Sequence, residues 1–452
     1  MKKNKLITLV VTIVLVIMMM FGCSTQQDSS DSDEHISSYT ITFDANGGEG
    51  SMADIDITYD VSVDLPVNTF TRDDYTFVRW CDKQYGIGKS FSDGAAVINL
   101  ADANSNTITL YAIWKDDKNY VSTDGSNDIV INNVKYPNTS ITQVIDTAVT
   151  VTGSDENWSS YIDSSDSSTD DDCKGVFIAG RNVRIDPYSM GKYPVTQQLF
   201  IAVMKYNPSI YNQNDYSLRE TETDAKLRPV EFINWYAAIT FCNKLSLMMG
   251  KEPCYSVKVA GSEVDWINLK YSDIPGGEDP PNETEWNAVA VNMSANGYRL
   301  PTEAEWEFAA RGGDQSNAEW KYAFSGVQSL KPLVRITRDF DADYGGETYG
   351  VSQNLSTDSN FETVGWYDHN SGMTYQVGMK TPNRLGLYDM SGNVEEWCWD
   401  WYDSSKFPRR FRILRGGCGV TQAWKCSVSY RNCQKPNRPN IQFGFRLACS
   451  GD

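Results

Sequence analysis

Histidine is nearly absent: the 452 residues contain two, His35 and His369. That excludes a three-histidine zinc centre. The ten cysteines include no Cys-x-x-Cys pair, so zinc ribbons and thioredoxin-type exchange are disfavoured. Positive charge is short as well. Lys and Arg number 40 against 59 Asp and Glu, giving a net charge of −19 and a pI near 4.6. Such a chain has no bulk attraction for nucleic acid or an anionic membrane surface, so no nucleic-acid partner is expected. Its main apolar run, Leu6–Phe21, falls short of the roughly 20 residues that span a bilayer.

What is present begins with an export signal. Lys2, Lys3 and Lys5 precede the apolar run, and Gly22-Cys23 closes it. The ending resembles a bacterial lipoprotein cleavage site. It implies acylation of Cys23 and a lipid-anchored protein of the cell envelope, displayed on the outer surface. Residues 24–38 are Ser/Asp-rich and read as a flexible tether. Residues 39–115 then alternate apolar and polar positions, with YTITFDANGG running into an Asn-Gly-Gly turn. Strands are expected at Val61–Leu65, Tyr75–Trp80 and Ile108–Trp114. TFDANGGEGSM, TFTRDDYTFVRW and ITLYAIW together resemble the Listeria–Bacteroides repeat, which implies a small β-grasp-like module. One copy excludes a solenoid. Residues 116–173 are polar and acidic and read as an extended linker with one β-prone run, Ile129–Tyr136.

The large domain is placed at 174–452. Phe232–Met249 has Trp235, Ala238, Ile239, Cys242 and Leu245 at helical spacing, and Pro301–Arg311 opens a second helix. Residues 254–295 and 314–360 are Gly/Asn/Asp-rich insertions without a readable pattern. The stretch Gly386–Tyr402, GLYDMSGNVEEWCWDWY, places tryptophans at alternate positions 397, 399 and 401, which suits a strand with one buried face. Just before it, Asp389 and Glu396 with the carbonyls of Gly392 and Val394 form an oxygen set that calcium prefers. A tight SGN turn leading into a core strand is the plainer account of the same residues.

Six motifs in order carry a second resemblance. They are GKYPVTQ, RPVEFINWYAAITFCNKLS, RLPTEAEWEFAARGG, GLYDMSGNVEEW, RGG and GFRLA. Together they resemble the formylglycine-generating enzyme, or sulfatase-modifying factor, family over residues 174–449. The resemblance implies an α+β, C-type-lectin-like fold with much irregular structure. It also implies a structural Ca²⁺ at Asp389, Gly392, Val394 and Glu396. The enzymes of that family hold copper(I) on two thiolates, and in the frame set by Arg431, Pro436 and Gly444-Phe445-Arg446 those positions fall on Ala423 and Val428. Neither side chain binds a metal, so no copper and no catalytic residue are expected.

The segment Arg415–Ala448 keeps family-like frame residues but carries unusual choices between them. An aromatic anchor beside Lys and Asn suits a recognition surface. The expected ligand-binding residues are Trp424, Lys425, Ser427, Ser429, Arg431, Asn432, Gln434, Lys435 and Asn437. The pattern also resembles the variable proteins of diversity-generating retroelements, which implies a ligand-binding surface at this end of the fold. Three functions follow: a non-catalytic surface lipoprotein binding an extracellular protein or glycan, a divergent oxidase of a peptide cysteine using Cys426 and Cys433, or a structural spacer.

Overall fold

The computed structural model describes residues 38–84, 86, 89–101, 106–116, 122–123, 128–131, 134–154, 174–211, 225–327, 359–402 and 409–450. Cys23 and the export signal lie outside them. No helix among the described residues is long and apolar enough to cross a membrane.

Residues 38–116 form a twisted sheet. Its strands are β1 (Ser38–Asp44), β2 (Ile55–Thr58), β3 (Tyr75–Cys81), β4 (Ser90–Phe91) and β5 (Thr107–Asp116), in the order β2-β1-β5-β3-β4. β1 and β5 run parallel at the centre, and the other pairings are antiparallel. Asn46 and Gly47 both take positive φ, 47° and 86°, and the Gly48 amide closes the turn on the Ala45 carbonyl at 2.9 Å. Asn and Gly are the residues that tolerate that turn geometry. Tyr39, Ile41, Trp80 and Leu110 pack beneath the sheet.

The large domain starts earlier than its motifs suggest. β6 (Ile141–Ile145) pairs with β7 (Tyr188–Gly191), and Val149–Thr152 pairs with Asn182–Ile185. Residues read as linker therefore supply two strands of the domain. The expected run Ile129–Tyr136 folds back on itself, Ile129–Ile131 against Val134–Tyr136. β8 (Tyr298–Arg299) and a later strand complete the sheet of β6.

Helix α1 (Gln197–Met204) is followed by α2 (Trp235–Met248), whose N-cap Asn234 accepts the Ala237 amide at 2.9 Å. The insertion 254–295 holds one short hairpin, Lys258–Val259 against Ser262–Glu263, the helix Glu283–Asn287, and a pairing of Tyr255–Ser256 with Ala290–Val291 that closes the insertion. α3 (Glu303–Ala310) begins with a capping box between Thr302 and Glu305, with Pro301 one residue outside the cap.

The second sheet contains β9 (Glu395–Trp401), β10 (Arg412–Arg415), β11 (Arg431–Gln434) and β12 (Phe443–Gly444), in the order β11-β10-β9-β12. β13 (Ala448–Ser450) returns to the first sheet, giving β6-β7-β13-β8. β9 departs from the expected single buried face. Trp397 and Leu414 enter the core around α2, whereas Cys398 and Ile413 enter the core around α3. The two helices cover opposite faces of β9 and β10, so alternation sorts residues between two cores rather than between core and water.

Candidate functional site

The C-terminal segment rests on a buried lattice of charges. α3 turns Glu303 and Glu307 inward, four residues apart and on one helix face. The Arg431 guanidinium donates to both oxygens of Glu303 at 2.6 and 2.8 Å. Arg415 reaches Glu303 at 3.4 Å and Glu307 at 2.6 Å, and also donates to the carbonyls of Val428 and Ser429. Arg311 closes the row on Glu307 at 2.7 Å. Burial pushes the Glu303 carboxyl upward, but Arg431 and Arg415 overcome it and hold the group below the usual range. The row fixes both ends of the segment 416–430 to one helix.

The predicted face divides accordingly. Trp424, Lys425, Ser427, Asn432, Gln434 and Lys435 are all partly exposed. Trp424 stands edge-on to Tyr430 with centroids 5.1 Å apart, and its indole N–H donates to Gln422 at 2.6 Å. Lys425 lies 5.3 Å from the Trp424 ring. Three predicted members serve the frame instead. Ser429 and Asn437 are buried, and Arg431 is committed to Glu303.

The calcium set does not fit as expected. Glu396 is fully buried, and both its oxygens are taken by the Arg446 guanidinium at 2.6 and 2.7 Å. The Trp306 indole adds a third bond at 2.7 Å. A cation at this carboxylate would face a guanidinium already in place. Asp389 instead accepts from the Gly378 amide at 2.8 Å and the Asn393 side chain at 3.4 Å. Burial pushes its carboxyl up to about 6. Among the described residues no group of three or more His, Cys, Asp or Glu is arranged to hold a metal. Calcium at this loop keeps one side-chain donor, Asp389, beside the carbonyls of Gly392 and Val394.

The thiolate positions are apolar and enclosed. Ala423 lies in a short 3-10 turn, Ala423–Cys426, and Val428 packs in the core of α3. Cys418 and Cys426 are buried nearby, and burial pushes the Cys418 thiol up to about 12 and raises the Cys426 thiol well above its ordinary value. Neutral thiols are poor ligands for a soft metal. Sequence reasoning missed Glu395. It is buried behind the face, accepts a hydrogen bond from Asn432 at 2.6 Å, and burial pushes its carboxyl up to about 7. A second carboxylate directly before Glu396 in a Trp-rich strand was the signal.

Residues 142–450 match the model of the sulfatase-modifying factor enzyme 1-like domain, and 39–113 match the Listeria-Bacteroides repeat domain. "Chaperone protein LppX" of Paenibacillus barcinonensis is 33% identical over 271 residues, which cover 60% of this chain and 82% of that protein. A formylglycine-generating enzyme of Thermomonospora curvata is 28% identical over 293 residues, covering 59% of this chain and 84% of the enzyme. Among solved structures, "Treponema denticola variable protein 1" is 32% identical with a TM-score of 0.50, over 70% of this chain and 98% of that one.

Proposed function

The chain belongs to the sulfatase-modifying factor enzyme 1-like family, and from that premise we propose that it is a non-catalytic, envelope-associated binding protein. Its recognition face comprises Trp424, Lys425, Ser427, Asn432, Gln434 and Lys435. The observation that carries this reading is the pair Ala423 and Val428 at the thiolate positions, enclosed in apolar packing. Arg415, Arg431 and Arg446 are all ion-paired, so the scaffold that presents the segment is retained while the redox pair is not.

The ligand class is polypeptide. A relative matched over 271 residues and carrying the name chaperone supports that choice over a glycan, and a half-buried Trp with flanking amides and lysines suits peptide contacts. A lipid on Cys23 would tether the face at the membrane. Cys23→Ala is expected to release the protein from washed membranes into the soluble fraction.

The test of the functional reading has two arms. Titration with copper(I) should show no stoichiometric binding, and a cysteine peptide should not be oxidised to its aldehyde in the presence of copper and oxygen. A permanently unfolded chain, such as reduced and carboxymethylated ribonuclease, should bind the protein. Trp424→Ala should weaken that binding by about thirtyfold, the value of a truncated aromatic anchor. Lys435→Glu should weaken it with no change in melting temperature. Turnover of the cysteine peptide would overturn the non-catalytic reading.

A further inference from the structure

A cleft of about 560 Å3 separates the repeat module from the large domain. Its position is set by Arg79 on β3. The Arg79 guanidinium donates to the carbonyls of Gly250 at 2.8 Å and Lys251 at 3.3 Å, just past the end of α2. Both carbonyls lie just beyond the C-cap Met249, at the end of α2 where the helix dipole is negative, so a guanidinium from another unit is well matched there. Gly86 of the repeat faces Leu247 of α2, where a Cβ at this glycine would lie at ordinary contact distance, 3.6 Å, from a leucine methyl.

The walls differ in character. Val203, Leu247, Met248 and Ile267 make an apolar side. Arg72 from the repeat, with Lys205 and Lys244 from the domain, supplies three cations against the single acid Asp265. In a chain of net charge −19 this is a local reversal of sign. The three cations are only lightly engaged. Lys205 donates to the Ala202 carbonyl at 2.8 Å and Lys244 to the Ile267 carbonyl at 3.0 Å, one bond from each three-proton ammonium. Arg72 stacks over the Tyr75 ring at 3.8 Å and reaches the Asn46 carbonyl at 3.5 Å. Burial lowers the Lys244 ammonium below its ordinary value, Asp265 opposes that, and Lys205 lowers it further. Two like charges held together beside a void are relieved by an anion.

We propose that this cleft binds a small amphipathic oxyanion, a carboxylate or phosphate on an apolar body. Arg72, Lys205 and Lys244 take the head, and Val203, Leu247, Met248 and Ile267 take the tail. Neither the copper positions nor the Trp424 face takes part.

Calorimetric titration of the full chain with octanoate, octyl phosphate and octyl glucoside tests this. At least one of the two anions should bind one to one, and which one binds identifies the head group. Octyl glucoside, with the same tail and no charge, should bind at least tenfold more weakly. Arg72→Leu and Lys244→Met should each weaken the anion tenfold or more. Arg72 lies at the surface of the repeat, so its variant keeps the test valid if Lys244→Met misfolds. Absence of binding by both anions, equal binding of the glucoside, or Arg72→Leu binding like the parent would each overturn the proposal.

Discussion

At Glu395 a carboxylate sits where water cannot reach it, with the Asn432 amide as its hydrogen-bond partner. Burial raises its folded pKa to about 7 from the ordinary 4.5. Between those values the folded protein keeps a proton that the unfolded chain has released. Stability therefore falls as pH rises from 4.5 to about 7 and levels off above, a loss on the order of 3 kcal/mol for this group. Glu395→Gln should remove that share of the slope, so the variant melts above the parent at pH 8 and close to it at pH 4.5. Equal slopes for both proteins would mean that Glu395 is ionised in the folded state. Trp424 and Lys435 could be named as surface residues from composition. Ser429, Arg431 and Asn437 could not be separated from them, because burial of the first and last is set by the tertiary fold and the Glu303 partner of Arg431 lies more than a hundred residues earlier.

At the scale of elements, α3 explains why RLPTEAEWEF and RGG occur together. Glutamates in the first turn of a helix can be read as partners of its positive end. In the fold, Glu303 and Glu307 instead neutralise Arg415, Arg431 and Arg311, and only Glu305 serves the cap. Removing one partner of a buried pair strands the other, at a cost of about 3–5 kcal/mol. Glu307→Gln should therefore lower stability by roughly that amount in denaturant titrations, since Arg311 and Arg415 both lose their shared carboxylate. A loss below about 1 kcal/mol would show that water reaches the lattice. The same logic separates ion from arginine at the SGN turn. Glu396→Gln should destabilise the protein equally with and without chelator, because its partner is Arg446. A chelator-dependent difference would return calcium to Glu396. The helices and the Trp-rich strand were legible because each has its own periodicity. The second buried face of β9 was not, because a strand covered on both sides shows no polar alternation.

For the whole molecule, the question is whether the repeat is a spacer or a working part. The Asn-Gly turn and alternating strands made the module legible, but its docking uses an arginine whose acceptors lie some 170 residues further along the chain. Nothing local in TFVRW marks Arg79 as different from any surface arginine. In the fold its guanidinium satisfies Gly250 and Lys251 while its Nε holds Ser90 at 3.2 Å, so the same side chain orders the repeat and finishes α2. Arg79→Ala leaves those carbonyls to water and frees the last turn of the helix. Amides there are protected by short-range bonds, Met249 to Leu245 and Gly250 to Leu247. Hydrogen exchange across residues 245–252 should accelerate about tenfold in the variant, equivalent to a loss near 1.4 kcal/mol in local opening. The repeat core at Ile41, Trp80 and Leu110 should exchange as in the parent, since its packing does not involve Arg79. Unchanged exchange at 245–252 would mean that the two units sit side by side without energetic coupling, and the spacer reading of the repeat would then hold.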